Sequence, residues 1–246
     1  FTVVYIVGVF FFADKIFIMI RYVTLVLSLF IGIESSAQQQ IKILNAFQHY
    51  KIQASTDYNK LLFIVRDDNK HTTFETAYLN EWEDAFLVVS ENEIYSIKAR
   101  YNIFEDAIYV KIDGQEKLVF PHLIQGVIFK NQIFVSRKEM IDSGLKDGYY
   151  ELLSEGDREF LKKYLYTYKV DKKGNVKLKE KKERIYIKNS KGLVEPFDLS
   201  AKTFYSNFKG KQKVLKDYVK TNALRLKKTD DLVALFDYYN RILAKE

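Results

Sequence analysis

Residues 86–137 set the fold class of this chain and read FLVVSENEIYSIKARYNIFEDAIYVKIDGQEKLVFPHLIQGVIFKNQIFVSR. Short apolar runs, rich in β-branched and aromatic side chains, are separated by turn signals about every 8 to 12 residues. The sharpest signal is Asp113-Gly114, because glycine tolerates the positive φ of a two-residue hairpin turn. This spacing predicts an antiparallel meander, an open barrel or a sandwich.

The same pattern continues downstream. Residues 149–153 and 160–170 flank Glu155-Gly156-Asp157 and are predicted to form a hairpin. The apolar spacing in 160–170 also fits one face of a helix, but the alternating tyrosines favour a strand. Residues 172–175 predict the next turn, and residues 176–188 predict the strand that follows it.

The segments before and after this region have different sequence patterns. Residues 41–50 fit either a short helix or a first strand, and residues 61–65 predict a strand followed by a turn at 67–70. After Pro196 the periodicity becomes helical and predicts two or three short amphipathic helices. The predicted fold class is therefore α+β: a mainly antiparallel β-sheet domain over residues 38–195, with a helical C-terminal segment, residues 196–246, packed on it.

The segment from Met19 to Ala37 has the three parts of a signal peptide. Arg21 supplies a positive start, residues 22–33 are apolar, and Ser35-Ser36-Ala37 forms a small-residue cleavage site. The apolar run of about 12 residues is shorter than the ~20 that a membrane-spanning helix needs. We expect export with cleavage after Ala37.

Residues 1–18, FTVVYIVGVFFFADKIFI, are also apolar and are interpreted as sequence upstream of the natural start. In the alternative interpretation, residues 2–12 and 16–33 form a membrane hairpin or an uncleaved anchor that bends at Asp14 and Lys15. The protein would then stay attached to the membrane through residues 1–33.

Composition restricts the function classes. The net charge is +7 and cysteine is absent, so disulfides, thiolate zinc sites and cysteine nucleophiles are excluded. The positive charge favours an anionic surface, such as lipid headgroups or polysaccharide, and nucleic acid is not expected for an exported protein. His49, His71 and His122 are spaced too irregularly for a helical metal-ligand pair.

Sequence motifs for nucleotide or hydrolytic chemistry are also missing. The chain has no G-x-S-x-G elbow and no glycine-rich phosphate loop, and Asp67-Asp68-Asn69 lacks the glycine and the later glutamate of a calcium loop. No catalytic residue, metal or cofactor is therefore predicted.

Trp82 is flanked by Glu81, Glu83 and Asp84, an arrangement found in carbohydrate sites, where a ring stacks on sugar and carboxyl groups transfer protons. Glycoside hydrolysis needs two carboxyl groups that face each other across a cleft. A single cluster on one loop does not establish such a pair. The favoured interpretation is a core or anchoring aromatic side chain with solvated acidic neighbours.

A basic stretch over residues 169–191 contains nine lysines and Arg184. The simplest interpretation is a solvated edge hairpin in which lysines prevent aggregation. The functional interpretation is a contact face for anionic lipid or polysaccharide. The residues proposed for a ligand or partner surface are Trp82, Tyr168, Lys179, Lys181, Lys182, Arg184 and Tyr186.

Several short motifs resemble a group of uncharacterised exported proteins common in Bacteroidetes-type bacteria. They are ARYNI at 99–103, AIYVK at 107–111, KDY at 216–218, LRLKK at 224–228 and YYN at 238–240. The Ala37-Gln38 junction is of the kind those proteins carry. Their glycine-rich turn between the first strands is replaced here by residues 83–85 and 90–92, which leaves the strand register open.

The resemblance implies a periplasmic, outer-membrane-associated or secreted protein of unknown activity, and it assigns no catalytic residue. We therefore expect a non-enzymatic binding domain with a partner in the cell envelope or outside the cell. The alternatives are a carbohydrate-active hydrolase that uses carboxylates near Trp82, and a protein anchored by residues 1–33.

Overall fold

A computed structural model describes residues 54–58, 61, 64–67, 77–141, 144–156, 158–189, 191–200, 204–208 and 210–243. The strands in this part of the chain are β1 (Val65–Asp67), β2 (Glu83–Ser90), β3 (Glu93–Asn102), β4 (Ala107–Ile112), β5 (Gln115–Val119), β6 (Gly126–Ile128), β7 (Ile133–Ile141), β8 (Gly144–Ser154), β9 (Phe160–Val170), β10 (Val176–Lys188) and β11 (Val194–Pro196). The α-helices are α1 (Gln212–Thr221) and α2 (Thr229–Leu243). The predicted α+β class, mainly antiparallel with helices near the C-terminal end, is confirmed.

Strands β7 to β11 close into a small barrel. Neighbours in sequence pair antiparallel, and β11 then pairs in parallel with β7 through Val194 and Glu139, which completes the ring. Each strand contributes one fully or largely buried side chain to an apolar interior, and Ile133 and Leu152 pack against this group. The buried residues are Val135, Tyr150, Leu161, Tyr186 and Val194. So narrow a barrel is filled by its own side chains, and its interior is core.

The other strands continue from the barrel as a sheet in the order β7-β6-β2-β3-β4-β5-β1. The main apolar cluster lies between this sheet and the outer face of the barrel. Tyr101 of the sheet packs against Phe134 and Tyr149 of the barrel, with ring centroids 4.8 and 6.3 Å apart. Burial of such large rings is the main source of stability in this region.

The helices cover another part of the barrel wall. Leu215 of α1 and one face of α2 are buried together with Phe160 of β9 and with Phe197, which follows β11. Phe236 of α2 stacks on Phe160 with centroids 3.8 Å apart and an interplanar angle of 14°. Asp230 and Asp231 lie in the first turn of α2, where negative charge favours the helix dipole.

Two hairpin arms extend from the barrel. Strands β8 and β9 pair only between Glu151–Lys162 and Ser154–Phe160, after which β8 stays with β7 and β9 stays with β10. We define the β7–β8 arm as residues 138–141 and 144–147, and the β9–β10 arm as residues 168–184. Each hairpin continues for about seven or eight residues past the shared ladder, which corresponds to roughly 25 Å.

The sequence predictions for turns and strands are largely confirmed. Asp113 and Gly114 have φ values of 51° and 77° and connect β4 and β5 in the hairpin that the sequence predicts. The predicted hairpin of residues 149–170 and the strand of residues 176–188 are β8, β9 and β10. One prediction was wrong in its limits: Leu61 lies in a 3₁₀ turn, and strand β1 begins only at Val65 and extends to Asp67.

Other predictions fall outside the described residues. These are the element at 41–50, the signal peptide, the rival anchor at 1–33, and residues 68–70 of the predicted turn. Within the described ranges, neither helix has the length and apolar content to cross a membrane.

We expect Phe236→Ala to lower the free energy of unfolding by about 3–5 kcal/mol, because it removes a fully buried ring and leaves a cavity against Phe160. Urea denaturation followed by circular dichroism measures the change. The matched control is Val214→Ala on the exposed face of α1, with an expected effect of about 0.5 kcal/mol or less. Equal losses in the two variants would contradict the helix–barrel packing.

Candidate functional site

The β9–β10 arm is a strongly basic hairpin. Residues 169–184 contain seven lysines and Arg184 against three carboxylates, a net charge of +5. Lys179, Lys181, Lys182 and Arg184 are all exposed, as the sequence prediction of a basic surface requires. Among the described residues, one ion pair lies in this arm, between Lys182 and Glu180 at 3.6 Å, and both side chains are more than half exposed.

The end of this arm is an ordered turn. Asp171 Oδ1 accepts hydrogen bonds from the backbone N–H groups of Lys173 and Asn175, and Asp171 Oδ2 accepts one from the Asn175 side chain. These bonds, that of the Asn175 side chain first, lower the pKa of Asp171. Gly174 completes the turn with φ 84°. The lysines are therefore displayed by a hydrogen-bonded hairpin.

Tyr168 and Tyr186, both assigned to this surface from the sequence, have opposite positions. Tyr168 is 55% exposed and meets Phe104 edge-on with centroids 5.6 Å apart. Tyr186 is 3% exposed, lies inside the barrel and meets Tyr150 at 5.2 Å. Burial, reinforced by the Glu139 carboxylate, raises the pKa of Tyr186. The assignment of Tyr186 to an exposed surface was wrong, because β10 enters the barrel at that residue.

Trp82 lies elsewhere, in a groove of about 620 Å³ on the outer sheet. The Arg100 guanidinium lies 4.5 Å from the Trp82 ring and 3.5 Å from the Tyr78 ring. Lys111 Nζ is also 4.5 Å from the Trp82 ring. Two cations thus contact the indole, which supports the interpretation of Trp82 as an anchoring aromatic side chain.

The carboxylates around Trp82 are engaged with close neighbours. Glu83 accepts a hydrogen bond from Asn80 Nδ2 at 2.5 Å, and Asp84 pairs with Lys98 at 2.9 Å. Glu83 and Asp84 are consecutive on β2, so their side chains point to opposite faces. The other polar residues that line the groove are Ser96, Lys98 and Lys130. Among these lining residues, no second acid faces the first, as a glycosidase would require.

A second cleft, of about 460 Å³, was not identified from the sequence. Its wall combines apolar side chains with polar ones, and its charged residues are Arg137, Glu155 and Glu159. Arg137 Nε and Nη2 donate to the two carboxylate oxygens of Glu159 at 2.6 and 2.7 Å, and Lys188 Nζ lies 2.6 Å from Glu159 Oε1. The sequence gives no signal for this trio, because the three residues come from distant strands.

Arg137, Glu159 and Lys188 form a fixed ion cluster in this second cleft. Burial alone would raise the pKa of Glu159, but the hydrogen bonds and charges of Arg137 and Lys188 outweigh it and hold the pKa below 4.5. Glu159 therefore stays ionised at neutral pH and has no proton to donate as a general acid. The trio tethers the start of β9 to β7 and β10.

A third charged cluster is buried where β8 and β9 separate. Lys163 Nζ lies 2.9 Å from Asp106 Oδ2 and 3.7 Å from Glu139 Oε2. Tyr150 donates to Glu139 at 2.6 Å, and Asp106 Oδ1 accepts from Tyr101 and from the Tyr149 backbone. Burial and the adjacent carboxylates raise the pKa of Tyr101 and Tyr150.

Gly148 leaves the space in which Lys163 and Asp106 form their ion pair. A Cβ atom on residue 148 would stand 2.7 Å from Lys163 Nζ and 2.8 Å from Asp106 Oδ2. Both atoms belong to the buried ion pair, so neither can withdraw without weakening it. Asp106, from the turn between β3 and β4, thereby contacts both the β7–β8 and the β9–β10 hairpins.

A metal site is not found among the described residues, where no group of three or more histidines and carboxylates is suitably placed. His122 lies beside Phe120 in a 3₁₀ turn, with ring centroids 5.7 Å apart. His49 and His71 are outside the described residues. In comparisons with known proteins, no family model, curated protein or solved structure matched this chain significantly.

We expect acid to weaken the fold in part through Glu159. Its pKa is lower in the folded chain than in the unfolded one, so its contribution is complete above about pH 4.5 and is lost as pH falls through the folded pKa. Urea midpoints between pH 7 and pH 3 should fall more steeply for the wild type than for Glu159→Gln. Parallel pH profiles would show that the trio contributes no pH-dependent stability.

We expect Lys163→Met to destabilise the fold by about 3–5 kcal/mol, because it leaves Asp106 and Glu139 as buried carboxylates without their cation. The control is Lys179→Met, an exposed lysine of the β9–β10 arm, for which a change of about 0.5 kcal/mol or less is expected. Urea denaturation at pH 7 compares the two variants. A loss near that of the control would contradict the role of Lys163.

Proposed function

We propose that this protein is an exported, non-enzymatic binding domain of the bacterial envelope or its surroundings, and that the β9–β10 arm is its contact face for an anionic partner. The observation that carries the proposal is the concentration of a net charge of +5 on one projecting hairpin. Arrays of lysines attract arrays of phosphate, sulfate or carboxylate groups.

The alternative of carbohydrate hydrolysis receives less support. Trp82 is in contact with Arg100 and Lys111, and the two carboxylates that line the groove beside it, Glu83 and Asp84, are consecutive residues of one strand. In the second cleft, Glu159 is held as a carboxylate by hydrogen bonds from Arg137 and Lys188 and has no proton to donate. Binding without catalysis is consistent with both features.

Export is part of the proposal and rests on the sequence. Its support is the signal-peptide pattern from Met19 to Ala37 and the resemblance of the later motifs to exported proteins. The absence of cysteine fits either side of a membrane. N-terminal sequencing of the protein recovered from its host tests this part, and a terminus at Gln38 is the expected result.

The contact face is tested by reversing charge on the arm. The triple variant Lys179→Glu, Lys181→Glu, Lys182→Glu should bind dextran sulfate at least about tenfold more weakly than the wild type at low salt, since each lysine near an anionic surface contributes about 1 kcal/mol. The wild type should lose affinity steeply as sodium chloride is raised, and the variant less steeply. Isothermal titration calorimetry measures both.

The matched control for this experiment carries the same charge change on exposed lysines of the C-terminal segment: Lys213→Glu, Lys220→Glu and Lys227→Glu. Its affinity should stay within about twofold of the wild type if the arm is the contact face. Equal losses in the two triple variants would mean that net charge alone governs binding, and the proposed face would be wrong.

A further inference from the structure

Exposed apolar side chains are concentrated at the ends of the two hairpin arms. Seven large apolar residues in the described part of the chain are exposed: Leu123, Met140, Ile141, Leu145, Tyr168, Val170 and Val214. Three of them lie on the β7–β8 arm and two on the β9–β10 arm. Exposed apolar patches of this kind mark interaction sites more often than chance positions do.

The two arms leave the barrel at the same end. Strands β7 and β9 are both antiparallel to β8, so the turns that follow β7 and β9 lie at the same end of the barrel. The turn between β3 and β4 contacts both hairpins at their base, through Asp106 on Lys163 and the Tyr149 backbone. The outer parts of both arms continue past this contact.

The end of the β7–β8 arm carries apolar side chains on both of its faces. Met140 and Leu145 are directly opposite each other in the ladder and share one face, and both are more than half exposed. Ile141, one residue on, projects from the other face and is 37% exposed. Lys138 and Lys146, farther from the end, are also exposed. The end of this arm is therefore apolar, and its exposed lysines lie farther from the end, toward the barrel.

We propose that the ends of both arms bind together to the surface of an anionic lipid bilayer. This proposal rests on the anionic-partner function above. The lysines of the β9–β10 arm would meet the lipid phosphates, and Met140, Ile141 and Leu145 would enter the boundary between headgroups and acyl chains. Apolar side chains combined with lysines fit a membrane interface, which offers both hydrocarbon and negative charge. A soluble polysaccharide offers the charge without the hydrocarbon.

A single label reports this seating directly, because the chain has no cysteine. Leu145→Cys in the full chain, labelled with the polarity-sensitive fluorophore NBD, should show a blue-shifted and stronger emission with phosphatidylcholine vesicles that contain phosphatidylglycerol. Vesicles of phosphatidylcholine alone and dextran sulfate should leave the emission unchanged. The matched control is Val214→Cys with the same label, an exposed apolar site on α1 that should not respond.

A second pair of variants keeps the test independent of the label. Met140→Ser with Leu145→Ser should weaken binding to the anionic vesicles about tenfold and leave dextran sulfate binding unchanged. Leu123→Ser with Val214→Ser is the control, with no expected change in either. Vesicle flotation and calorimetry measure the affinities.

The outcomes separate this inference from the proposed function. If the protein binds dextran sulfate and anionic vesicles but the label at 145 does not respond and the Met140 and Leu145 variant binds normally, the seating of the β7–β8 arm is wrong and the anionic contact face stands. If it binds dextran sulfate but no vesicle, the partner is a soluble polyanion and the bilayer is wrong. If it binds neither, both proposals fail.

Discussion

The ion pair between Lys163 and Asp106 joins the two parts of the β architecture. It lies where the β8–β9 ladder ends and the two strands separate. Asp106 comes from a turn of the outer sheet, and its two oxygens reach β8 and β9 at once. A buried lysine without this carboxylate partner would destabilise the fold. The position of the outer sheet and the position of the base of each hairpin therefore both depend on the charges of this cluster.

This arrangement separates the parts of the molecule that provide stability from the parts that are free to bind. The barrel interior is filled by side chains from each strand, and the barrel wall is covered by the outer sheet on one part and by the helices on another. The hairpins diverge only beyond these covered regions. Their ends are short of packing partners and rich in lysine, which makes them suitable for contact with another surface and of little use as core.

The sequence predicted the fold class and most hairpins, because those depend on local signals such as Asp113-Gly114 and the alternation in β9. It did not predict the closure of the barrel, which depends on a parallel pairing between β11 and β7 made by residues far apart in the chain. Tyr186 was misplaced for a related reason. Arg184 and Tyr186 belong to one alternating series, but Tyr186 lies inside the barrel and Arg184 lies beyond its mouth, and alternation alone does not reveal where the mouth is.

The candidate surface was predicted only in part, because a local sequence pattern does not show which side chains the rest of the fold covers. The β9–β10 arm was identified because its run of lysines is evident in the sequence. Met140 and Leu145 look like ordinary strand residues, and only the structure shows that both are more than half exposed. The trio of Arg137, Glu159 and Lys188 depends on three distant strands and leaves no local trace.

The close approach of Gly148 to the Lys163–Asp106 pair has an evolutionary consequence. A side chain at 148 would displace Lys163 Nζ and Asp106 Oδ2 and weaken their ion pair, so it is best tolerated when residue 106 or residue 163 changes as well. Natural selection should therefore treat these positions, which are far apart in the chain, as one inherited unit. Distant homologues whose overall identity has decayed would still be recognisable by an aspartate, a glycine and a lysine that are kept or lost together.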